Sequence, residues 1–169
     1  MTISMYSACV PTMRQILANM LAWLDKASAH AEARRFPADN YLQLRLAPDM
    51  LPLASQIRIA CDTAKRAVAR LAGIEVPVHA DDETTLAQLR ERIVSVIAIL
   101  DGVAPEAFDG SENRAIELPQ RNREPLKFDG ESFLRHYALP NFFFHATTAY
   151  ALLRHAGVEL GKADFLRGG

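Results

Sequence analysis

The sequence predicts an all-α protein: one four-helix bundle domain over residues 1–169, with a small β-hairpin before the last helix. Three observations predict it. The 169 residues fit one domain, and 50% of them are hydrophobic, enough for a sizeable core. Four long segments repeat apolar residues at three- and four-residue steps, the period of a helix with one buried face. Only between about Gly110 and Gly130 does the pattern change to short apolar–polar alternation.

The first helix carries Tyr6, Val10, Met13, Leu17, Met20, Leu24 and Ala27 on one stripe. Pro11 sits early enough to start its regular part, and Phe36-Pro37 closes the region. Ala38 to Leu46 reads as a short helical turn capped by Asp39 or Asn40. The second long helix is expected to start around Pro48 and Asp49. Its stripe is Met50, Leu53, Ile57, Ala60, Cys61, Ala64, Val68 and Leu71, and Gly73 stops it.

The linker IEVPVHADDE leads to a third helix, where Asp81, Asp82 and Glu83 suit the positive N-terminal end. Leu86, Leu89, Ile93, Val96, Ile97 and Leu100 form its stripe, and Asp101-Gly102 ends it. In AIELPQRNREPLKF, Ile116 to Leu118 and Leu126 to Phe128 read as the arms of a hairpin packed across the bundle. The fourth helix follows Asp129-Gly130, runs to His155 and ends at Gly157.

Charge narrows the function classes. Nineteen basic and 20 acidic residues nearly cancel and form no basic stripe, which argues against nucleic acid as a partner. No apolar run approaches the roughly 20 residues of a membrane span, and the first residues lack the basic start of a signal peptide, so a cytoplasmic protein is expected. Cys9 and Cys61 match no metal or redox spacing and are expected to be reduced and buried. There is no Gly-rich phosphate loop, no G-x-S-x-G and no H-E-x-x-H.

The fourth helix holds the chemistry. At about 100° per residue, Leu134, Ala138, Asn141, His145, Thr148 and Leu152 share one narrow inward stripe. His136 lies about half a turn from His145 and His155 is also off its face, so the three cannot converge on one metal in a straight helix. Pro140 would kink the helix, though a kink of ordinary size does not reverse a face. His30, His79 and His136 are expected at the surface or in loops.

The stretches SMYSACVP, RLAPDMLPLASQIRIACDTAK and LPNFFFHATTAYALLRHAGVELGKADFL resemble the DinB/YfiT-like metalloenzyme superfamily, and within it a bacterial family of unknown function. The resemblance spans essentially the whole chain. It implies a DinB-like up-down-down-up bundle, often dimeric, with a pocket at one end of the core. Members include metal-dependent thiol transferases and a thiol-dependent maleylpyruvate isomerase, whose site takes one His from helix two and two His one turn apart from helix four. By that resemblance the later helix-four position is His145 and the earlier is Asn141. Helix two has no histidine between Pro48 and Gly73, and Gln56 is its nearest polar candidate. The implied metal triad is reduced to one histidine.

Two function classes stay open. One is a small-molecule-binding protein, or a metal-independent enzyme, with a pocket between helices two and four. Its candidate residues are Asn141, His145, Thr148, Gln56 and Asp49, with His145 as general base. The other is a metal-dependent, glutathione-type thiol transferase or isomerase. Amide side chains are poor ligands for zinc-like ions, so no metal and no cofactor are expected. His145 would equally serve as a buried imidazole bonded to Gln56, and Asp49 as a charge at a helix N-terminus. Of Phe142, Phe143 and Phe144, at least one must point away from the core. Phe143 and Tyr150 share an outer line that needs a cover, either the hairpin and N-terminal segment or a second copy in a homodimer.

Overall fold

The computed structural model describes residues 3–167. Among these, α1 (Met5–Arg34), α2 (Leu53–Ala72) and α3 (Leu86–Asp101) precede the hairpin strands β1 (Ile116–Gln120) and β2 (Arg123–Phe128). A short α4 (Gly130–Phe133), a π-helical turn (Leu134–Ala138) and α5 (Leu139–His155) then form one continuous helical run, followed by α6 (Lys162–Arg167). No described helix is long and apolar enough to cross a membrane.

Helix α1 starts earlier than Pro11 because Ser4 and Ser7 cap it reciprocally, each side-chain oxygen accepting the other's backbone N–H. Pro11 therefore lies inside the helix, on its exposed side, where its missing N–H meets water. The predicted stripe is buried from Val10 to Ala27, with Cys9 and Trp23 beside it. The 3₁₀ turn Ala38–Gln43 occupies the place of the predicted helical turn.

Helix α2 starts at Leu53, later than Pro48 and Asp49. Pro52 disfavours helix at Leu51, and the Leu53 N–H donates back to the Leu44 carbonyl at 2.9 Å. From Leu53 onward the expected stripe is buried, and Gly73 closes the helix at φ 69°. Helix α3 is capped by Thr85 and Gln88. The acids expected at its N-terminus are used differently: Asp81 and Glu83 pair with Arg92.

The hairpin pairs Ile116 with Phe128 and Leu118 with Leu126, with a register shift at Pro119, which has no N–H to offer the ladder. Ile116 and Leu118 are buried, so one face of β1 joins the core. Gly130 lets α4 begin against Ser111, where a Cβ would lie 1.8 Å from the Ser111 carbonyl oxygen.

Helices α2 and α5 form the most extensive helix–helix contact, and α1 packs on both; α3 packs on α1 and α2 from the other side. In the run from Gly130 to His155 the predicted fourth helix is present, but with a wider turn. The Leu139 N–H reaches the Leu134 carbonyl across five residues. Pro140 follows at once and cannot donate to the preceding turn, so the proline is accommodated by a π-bulge.

The sequence reading omitted α6. It lies on α1, where buried Asn19 donates to the Phe165 carbonyl at 2.7 Å and the Trp23 indole to the Asp164 carbonyl at 3.0 Å. Tyr150 packs edge-on to Trp23 at 5.5 Å and to Phe165 at 5.6 Å. Phe143 is part-buried against the core. On the outer line of α5, Tyr150 is thus covered within the chain by Trp23 of α1 and Phe165 of α6. Phe144 is the phenylalanine of the run that points outward, 56% exposed.

Candidate functional site

The inward stripe of α5 divides into two environments. His145 is 9% exposed, and its Nδ1 lies 2.7 Å from Gln56 Oε1. The Gln56 amide nitrogen donates to the Leu51 carbonyl at 2.9 Å, which turns the amide oxygen toward the imidazole. An amide oxygen only accepts, so His145 carries its proton on Nδ1. Burial lowers the His145 pKa, so the ring is neutral near pH 7. Thr148 is buried and donates to the Phe144 carbonyl one turn back, at 2.7 Å. Thr148 is satisfied inside the bundle, and His145 is bonded there through Nδ1, while its Nε2 has no partner among the described residues.

Asn141 faces elsewhere. It donates to Thr63 Oγ1 at 2.8 Å and lines a cleft of about 500 Å³ between α2, the hairpin and the π-bulge. Six α2 residues line it: Ile59, Asp62, Thr63, Arg66, Ala67 and Arg70. Their spacing places them on one helical face beside the core stripe. Leu118 and Pro119 of β1 and Phe133, Tyr137 and Ala138 from the run before α5 complete the walls, with Asp81 at one edge. The widened turn sets Tyr137 and Ala138 against α2.

Behind the cleft lies a charge cluster that the sequence reading did not identify. Arg92, 3% exposed, contacts Asp62 and Glu83 at 2.8 Å and Asp81 at 3.0 Å. Lys65, 2% exposed, contacts Asp62 at 3.2 Å and His79 Nδ1 at 2.6 Å. The ammonium donates, so Nδ1 accepts, and His79 Nε2–H donates to Ser95 Oγ at 3.0 Å. Burial and the Lys65 and Arg92 charges lower the His79 pKa and keep the ring neutral. Burial opposes the Asp62 charge, but hydrogen bonds and charges from Lys65, Arg66 and Arg92 outweigh it and hold the carboxyl below its ordinary range. His79 lies in the loop between α2 and α3, as expected, half-buried, and joins this network through Lys65 and Ser95. The signal in the sequence was Asp62, Lys65 and Arg66 at helical spacing opposite Arg92.

The candidate residues separate accordingly. His145 and Gln56 form a pair, Thr148 packs beside them, and Asn141 alone of the set lines the cleft. Asp49 lies exposed in the turn before α2, off the helical face that was to align it with Gln56. The implied metal site fails on its donors. Gln56 Oε1 is occupied by the His145 N–H, Asn141 points its nitrogen at Thr63, and the described residues hold no group of three His, Cys, Asp or Glu able to hold a metal ion.

A family model described as "Domain of unknown function (DUF1993)" matches residues 5–166. Among solved structures, the crystal structure of a DinB family member protein from Shewanella denitrificans is 44% identical to the chain. That match covers 95% of this chain and 90% of the other, with a TM-score of 0.87. Nothing among curated proteins matches.

Proposed function

The chain belongs to the DUF1993 family, and from that premise we propose that it is a small-molecule-binding bundle whose ligand occupies the cleft between α2 and the last long helix. The observation that carries this reading is the cleft itself. At about 500 Å³ it has the size of a ligand site, and it joins an apolar floor to convergent polar groups at Thr63, Arg66, Arg70 and Asn141. A π-bulge forms one wall, a feature frequent at functional sites. His145 is a structural member of this design: it is neutral, bonded to Gln56 and absent from the cleft lining. On this reading the helices would run in the up-down-down-up order that the resemblance implies.

The alternative, a metal-dependent thiol transferase or isomerase, draws support from the likeness to a DinB family member and is opposed by the donor set above. The proposal includes a homodimer. Its interface would be the apolar surface around Phe144 and Leu51, 56% and 49% exposed, which flank the His145–Gln56 pair.

A thermal-shift and NMR screen of the full chain against small molecules, low-molecular-weight thiols and divalent ions tests the function. Thr63→Phe, which fills the cleft, should abolish binding of the hits while circular dichroism stays unchanged. Hits that bind Thr63→Phe as they bind the wild type would refute the cleft. A stoichiometric metal lost on His145→Ala would favour the transferase.

A further inference from the structure

We propose that the cleft takes a small carboxylate with an apolar body, its carboxylate held between Arg66 and Arg70. The inference rests on the cleft being the binding site. Its basis is a surplus of positive charge at one place in a chain whose net charge is −1. Asp62 is shared by Lys65 at 3.2 Å, Arg66 at 2.9 Å and Arg92 at 2.8 Å. Glu83 is divided between Arg58 and Arg92, and Asp81 also serves Arg92. Three carboxylates thus answer four cations before Arg70 is counted.

Arg70 forms no salt bridge among the described residues; its guanidinium reaches the Arg66 carbonyl at 3.5 Å. Glu75 borders the adjoining surface depression beside Arg66 and Arg70 but pairs with neither. His79 is neutral and adds nothing. The Arg66 guanidinium, 56% exposed, and the partly buried Arg70 guanidinium lie one turn apart and repel each other. Burial and the Arg66 charge both lower the Arg70 pKa, which an anion between them would reverse. Arginine holds a carboxylate in two parallel bonds.

The other groups fit the same ligand. Thr63 Oγ1 already accepts from Asn141, so its own hydrogen is free to donate into the cleft. Ile59, Pro119 and Tyr137 give the cleft accessible apolar surface that a bare inorganic anion would leave unused. The cleft exceeds the volume of one carboxylate group, so the ligand has a body that lies on this surface.

Amide-resolved NMR titration of the full chain at constant ionic strength tests the class, with benzoate, benzamide and inorganic phosphate as probes. Benzoate should shift the amides around Thr63, Arg70 and Asn141 and bind at least tenfold more tightly than benzamide. Arg70→Gln should cost at least tenfold, while Arg154→Gln, on the exposed side of α5, leaves binding unchanged. Equal binding of benzoate and benzamide at these amides, unaffected by Arg70→Gln, would overturn the anion assignment and leave the cleft reading intact. Phosphate saturating the same amides where benzoate does not would overturn the carboxylate class. Benzoate without effect on them would overturn the inference, and the Thr63→Phe screen would then judge the cleft separately.

Discussion

His145 of α5 and Gln56 of α2 are joined by a 2.7 Å hydrogen bond across 89 residues of chain, inside the most extensive helix–helix contact of the bundle. The bond has a direction. Leu51 fixes the Gln56 amide, and the amide fixes the imidazole tautomer. A ring so held is a tie between two helices.

Breaking that tie leaves one buried partner unsatisfied, so Gln56→Ala or His145→Ala should each cost about 1–3 kcal/mol of stability. The double substitution should cost less than the sum, because each single change already removes the shared bond. Urea denaturation of the two single variants and the double variant checks this. Additive losses would show that the pair is not energetically coupled.

The same burial sets a pH dependence. His145 and His79 both have pKa values lowered from the ordinary 6.5, so the unfolded chain takes up protons before the folded one does. Their stabilising contribution is complete above about pH 6.5 and is lost as pH falls from there toward the folded-state values. Asp62 and Glu83, whose pKa values are lowered, lose theirs only at more acidic pH. The melting temperature should therefore drop between about pH 6.5 and 5, and the paired variant His145→Gln, His79→Gln should flatten that drop. An unchanged slope would count against it.

Cys9 and Cys61 are both 0% exposed, and burial pushes each thiol up to about 12. The thiolate is the reactive form, so an aromatic disulfide reagent should modify neither in the native state and both in denaturant. Fast native labelling would indicate local opening of α1 or α2.

The four long stripes were legible because a helix with one buried face writes a 3.6-residue period into its sequence. The π-bulge and the start of α2 were not. Pro48 and Asp49 have the chemistry of a helix start, but the deciding contact is the Leu44 carbonyl, which belongs to another turn. The stripe placed Asn141, His145 and Thr148 on one inward face, which buries His145 and Thr148 and half-buries Asn141. It could not tell that a widened turn would set Asn141 beside Thr63 and leave His145 to Gln56. The polar face of α2 at Asp62, Thr63, Arg66 and Arg70 has helical spacing and was readable.

The last prediction concerns α6, six residues with too short a period to announce a helix. Its value lies in what it covers. Trp23 is 1% exposed and stacks on Phe165 at 5.4 Å, with its indole N–H on the Asp164 carbonyl. Lys26 contacts the Asp164 carboxylate at 2.6 Å, and Asn19 holds the next carbonyl. Ending the chain at Gly161 would remove the partners of two buried donors and open the Trp23–Tyr150 pair to water. An unpaired buried donor costs about 1–3 kcal/mol, and an aromatic contact adds about 0.5–1.5 kcal/mol. The truncated chain should therefore lose about 3–5 kcal/mol by the same principles, with Asn19 and Trp23 relaxing toward solvent to recover part of the loss. Trp23 is the chain's single tryptophan, so its fluorescence reports this site alone. The native emission should shift to longer wavelength on truncation, and Phe165→Ala should reproduce a smaller shift. If the truncated chain keeps both the emission and the stability of the full chain, α6 is no clamp and the cover of Trp23 must come from α1 and α5 alone.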